Sequence, residues 1–142
     1  MTYATKQDLI DRFSQDELVQ LTDTTNDPPV AIDDTRVTRA LTDADSMING
    51  YIAARYDVPV SPVPSSLVLA ACSIARYMLY RDHAPDRVTN DYNNAIKWLT
   101  QVSTGTVSLT DVAAAPTPQS SGGSVMTNSP VRSFTRDSLR GL

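Results

Sequence analysis

The sequence predicts an all-α protein, a small bundle of about four to five helices with an extended C-terminal arm. Three observations predict it. Apolar residues recur at three- and four-residue intervals over several stretches, the period of a helix with one buried face. Those stretches are punctuated by capping residues and by prolines, where helices start and stop. From residue 112 onward the composition shifts to Pro, Ser, Gly and Thr, which offers too little apolar area to fold alone. The chain therefore divides into a helical body over 1–111 and a linker with a docking tail over 112–142.

Thr5 caps the first helix, and Asp8 in its first turn suits the positive helix end. Leu9, Ile10 and Phe13 give that helix one apolar side. Ser14 to Glu17 repeats the device as a capping box, so the chain turns there into a second short helix carrying Leu18, Val19 and Leu21. Thr22–Val30 is polar and contains Pro28 and Pro29, so it is a loop. Asp33 or Asp34 then caps a long helix running to about Arg55. Its apolar stripe is Val37, Ala40, Leu41, Ala44, Met47, Ile48, Tyr51 and Ile52. Gly50 inside it lowers helix propensity by ~1 kcal/mol, which a close crossing against another helix would explain.

Tyr56–Pro64 holds three prolines and is expected to be a stiff, largely polyproline-like connector. It leads into the stretch on which the body is built. Between Leu67 and Tyr80 only Ser73 and Arg76 are clearly polar, the pattern of a helix packed on most sides. Ser65 or Ser66 caps it. Leu67, Leu69, Ala70, Ile74, Tyr77 and Met78 are its expected core residues. Tyr77, Tyr80 and Trp98 are read as packed aromatics with wet polar tips rather than a base-stacking platform. The run is shorter than the ~20 apolar residues a bilayer requires. Pro85 and Asp86 open a last helix to about Val102, with Val88, Tyr92, Ala95, Ile96 and Leu99 on one face and Gly105 as its C-cap. Val107–Val112 reads as a short strand or an extended arm.

Composition narrows the function. The net charge of −4 opposes a general nucleic-acid binder, which carries a basic face. The single Cys72 excludes an internal disulfide and a cysteine-rich zinc site, and its apolar setting makes it a buried, inert thiol. Met1–Phe13 lacks the apolar core of a signal peptide, which points to synthesis in a reducing cytoplasm. No spacing of catalytic, metal-binding or cofactor-binding type occurs. His83, alone in a helix-ending turn, has no partner nearby in sequence. Asp33/Asp34 and Asp43/Asp45 are explained by capping and solvation. The expectation is a protein that is not an enzyme, with no catalytic, metal or cofactor site.

Charge is unevenly spread. Up to Asp111 there are nine Lys/Arg against fifteen Asp/Glu, and beyond it three arginines against Asp137. An acidic body with a basic tail implies two different contacts, or one copy's tail meeting another copy's body. Arg132, Phe134, Arg136, Leu139 and Arg140 have what a linker lacks, apolar anchors among spaced arginines, and are read as a docking peptide. Acidic protein is the preferred partner, phosphate the other. On the long helix, Arg36, Arg39, Asp43 and Asp45 form a face of both signs suited to a seam between subunits.

Three stretches resemble the Mu-like phage gp36 family: Ile48–Tyr56, Pro59-Val60 with Val63-Pro64, and Ala70–Tyr80. The opening Tyr3–Leu9 and the closing Arg132–Arg136 are similar as well. That family looks like the head–tail connectors, or adaptors, of tailed phages. The resemblance implies a homo-oligomeric ring, commonly of twelve copies, beneath the portal protein. Such a ring extends the DNA channel and offers a surface to the next neck or tail-completion component, with the capsid as a further neighbour. DNA passes through without sequence-specific binding, no membrane is involved, and the protein resides in the virion neck. The alternative is a small helical regulatory or DNA-binding protein using its basic tail, which the acidic body opposes.

Overall fold

In a computed structural model, which describes residues 2–110 and 112, five helices follow one another: α1 (Lys6–Phe13), α2 (Gln15–Thr22), α3 (Asp34–Ile52), α4 (Ser65–Leu79) and α5 (Asp86–Thr104). There is no strand among the described residues; after α5 the chain bends at Thr106 and Val107 and folds back, burying Leu109. α4 lies between α3 and α5, which also touch each other, and α1 joins α2 and α4. The core runs through all five helices, from Leu9 and Leu18 through Val37, Ile48 and Ile52 to Leu67, Ile74 and Leu99.

The caps explain where the helices begin. Thr5 and Asp8 form a reciprocal box at α1. Ser14 serves twice, ending α1 with φ at 78° and capping α2 by accepting from the Glu17 amide. That positive φ lets a single residue turn the chain. Only half of the expected second box forms, because the Glu17 carboxylate reaches across to Arg76 instead. Asp33 caps α3 through the amides of Thr35 and Arg36. α4 departs from expectation. Pro64 occupies the cap position with no side-chain bond, and Ser65 is already helical. Gly105 closes α5 at φ 81° with the Arg55 guanidinium lying over it, so a β-carbon there would be both strained and obstructed.

Two further expectations are corrected. Gly50 faces open space with no atom near a would-be β-carbon, so no close helix crossing explains it. The Tyr56–Pro64 connector bends repeatedly and holds two cis X-Pro bonds, at Val58-Pro59 and Ser61-Pro62, rather than running as an extended polyproline helix. Its bends tuck Tyr56 and Val60 into the core and bring Tyr56 Oη within 2.9 Å of the Leu109 amide, which donates to it.

Candidate docking surfaces

The proposed seam on α3 divides. Arg39 and Asp43 are exposed one turn apart and line a shallow, open hollow with Asp34, Thr35, Thr38 and Thr42. Arg36 is half-buried and donates to the Thr22 carbonyl at 3.0 Å, fastening α3 to the end of α2. Asp45 does not belong to the exposed face. It is buried and accepts from the Tyr3 amide at 3.0 Å. Burial raises its carboxyl above the ordinary range, because one backbone bond replaces little of the water it has lost.

Asp45 is one end of an internal staple that the sequence did not reveal. The Tyr3 ring is buried, its hydroxyl donates to Asn49 Oδ1, and the Val60 amide donates back to that hydroxyl at 3.1 Å. Three distant segments, the N-terminus, α3 and the proline connector, thus share one phenol. Asp23 makes a second hub. Its carboxylate accepts from the amides of Thr25, Asn26, Val30 and Ala31 and from the Asn26 side chain. The Val30 amide and the Asn26 side chain contribute most to holding its pKa well below the carboxylate range. Both carboxylates are occupied by the fold, and neither is set toward a ligand.

The central helix has two unlike sides. Leu67, Ala70, Ala71, Cys72, Ile74 and Ala75 are buried. Tyr77 and Met78 are half-buried, and Tyr77 stacks on Tyr92 with ring centres 4.2 Å apart. Burial holds the Cys72 thiol up at about 11. Leu69, expected in the core, is instead 51% exposed. It lines a groove of about 390 Å³ between α4 and α5, with Phe13, Ala70, Ala95 and Trp98 as the other apolar walls. Asp91 and Asn94 supply its polar side. Ser66, Ser73 and Arg76 lie three, four and seven positions from Leu69, on the same face of α4, so the polar residues of the run were the signal that this side is uncovered. A second signal lay on α5, where Trp98 stands at the edge of the apolar stripe.

Arg76 frames one end of the groove. Its guanidinium lies 4.3 Å from the centre of the Phe13 ring and contacts Glu17 at 2.7 Å, joining α2 to α4. Its other link, to Asp91, is long at 3.8 Å, and the Asp91 side chain stays 42% exposed. Tyr80 donates to the same Glu17 oxygen at 3.3 Å.

His83 is exposed. Among the described residues no group of three or more His, Cys, Asp or Glu side chains is placed to hold a metal ion. No helix among them is long and apolar enough to cross a membrane. The tail residues Arg132, Phe134, Arg136, Leu139 and Arg140 lie outside the described residues.

Residues 3–128 match the family described as Bacteriophage Mu, Gp36. The Mu-like prophage FluMu protein gp36 of Haemophilus influenzae is 33% identical over 124 residues, covering 87% of this chain and 86% of its own length. Gene product J of Escherichia phage Mu is 36% identical over 107 residues, 74% of each chain.

Proposed function

The chain belongs to the bacteriophage Mu Gp36 family, and from that premise we propose that this phage protein is a structural component of the virion, a head–tail connector. In this reading, copies assemble into a closed ring beneath the portal, extend the DNA channel and dock the next neck or tail-completion component. Chemistry is absent from the role. The protein works by fitting surfaces together, and DNA slides past without being read.

The observation that carries the reading is the family match over nearly the whole chain, taken with the resemblance of that family to head–tail connectors noted from the sequence. The body adds physical support. A ring requires two different patches on each copy, because head-to-tail contacts that close are heterologous. The α3 strip with exposed Arg39 and Asp43 is one candidate patch. The groove between α4 and α5 is another of different character, apolar rather than charged. A basic C-terminal segment on an acidic body supplies a third contact, and tethering raises its effective concentration once the body is seated.

The test is electron microscopy of the protein co-expressed with the portal protein of its own phage, beside the protein alone. A second ring stacked on the portal is the expected result. A protein that never joins the portal overturns the connector reading. Deleting 130–142 should leave a folded body that fails to enter particles, and normal particle assembly by that deletion removes the docking role of the tail.

A further inference from the structure

We propose that the groove between α4 and α5 is the receptor for the C-terminal segment 130–142 of this same protein. The inference rests on reading that segment as a docking peptide, and it does not require a ring.

The groove is built to take an apolar side chain. Phe13, Leu69, Ala70, Ala95 and Trp98 wall it, and half of the Leu69 surface remains open to water. An apolar hollow of this size, rimmed by polar groups, is a binding-site feature. Its polar lining is Ser66, Ser73 and Asn94 with one acid, Asp91. Arg76 reaches that carboxylate only at 3.8 Å and the Asp91 side chain stays 42% exposed, so a second guanidinium has room beside it. The site therefore asks for an aromatic or aliphatic anchor with a guanidinium beside it.

The segment 130–142 carries that combination. Phe134 has Arg132 and Arg136 two positions to either side, and Leu139 and Arg140 follow. The reach is ample. Val112 and Phe134 stand 22 positions apart, a contour of about 70 Å at ~3.3 Å per residue, against a body radius of gyration of about 13 Å for its length. The charge difference between body and tail favours the same encounter, with six net negative charges up to Asp111 and two net positive beyond it.

The test uses the full chain. With Phe134 replaced by the photo-reactive benzoylphenylalanine, irradiation should join position 134 to Phe13, Leu69 or Trp98, within one chain or between two copies, as peptide mass spectrometry reads it. Trp98, the sole tryptophan, reports independently. Phe134→Ala should shift its emission to the red and raise its acrylamide quenching about twofold. Leu69→Glu, on an exposed position, should keep the helical circular dichroism and abolish the cross-link. Cross-links that map elsewhere, or a Trp98 emission indifferent to Phe134→Ala, overturn the proposal. With the photo-reactive residue moved to position 69, a link to the groove of a second copy in place of one to segment 130–142 assigns the groove to that copy and overturns the proposal too. If the same probe in assembling particles links to another virion protein while the groove stays unlabelled, the groove assignment fails and the docking reading survives.

Discussion

Two sides of one helix behave as two different materials. On its covered side α4 presents Ala71, Cys72, Ile74 and Ala75, all buried among neighbours. Toward the groove it presents Leu69, exposed, beside Ser66 and Ser73. The open side is the more polar of the two, since Ser66 and Ser73 flank Leu69 on it. The sides differ as well in whether another element arrives to cover them. The buried side is a statement about folding, and the open side is a statement about what the folded body leaves for something else. An all-round apolar helix is thus not proof of all-round burial, because an unfilled sector serves association as well as a filled one serves stability.

Thiol labelling separates the two sides most sharply. Cys72 reacts through its thiolate, and burial holds its pKa up at about 11, so it should resist a bulky disulfide reagent at neutral pH until the body unfolds. Leu69→Cys, combined with Cys72→Ser, should react about a hundredfold faster or more, because no opening of the fold is needed. Similar rates would erase the distinction. Stability makes the next contrast. Ile74→Ala should cost about 2–5 kcal/mol in denaturant unfolding, since Ile74 is fully buried. Arg76→Ala should cost about 1–3 kcal/mol, because it leaves Glu17 without its short ion pair and uncovers Phe13. A loss as large as that of Ile74→Ala would mean that the groove end is as much core as the covered side. Leu69→Gln should change stability by at most about 0.5 kcal/mol, in the range of surface substitutions. A larger loss would place Leu69 back in the core.

The same distinction separates what was legible in the sequence from what was not. Caps and stripes were legible because they act within one turn. Thr5 with Asp8, Asp33 before α3 and Gly105 after α5 each need only their immediate neighbours. Contacts across the fold were not. Asp45 reads as a solvated acid on a mixed-charge helix, and only the arrival of Tyr3 from 42 positions away buries it. Leu69 reads as core when the run is taken as apolar all round, although Ser66, Ser73 and Arg76 share its face. Pro64 took the cap that two serines seemed to offer. Of the two candidate docking surfaces, the α3 strip was half legible, since Arg39 and Asp43 are exposed as read, whereas the groove depends on how α1, α4 and α5 come together.

The bond between the Leu109 amide and Tyr56 Oη also has a mechanical meaning. Leu109 is itself buried, and Val112 beyond it still packs against the core. Tension applied at Val112 therefore meets these two contacts before the last turn of α5. Through the bond to Tyr56 Oη part of it reaches the connector that follows α3. From there the Tyr3 hydroxyl, bonded to both Asn49 and Val60, carries it to the N-terminal segment. The segment before α1 and the segment after α5 are thus both tied to the proline connector by a phenol, so a pull on one is felt at the other through that connector.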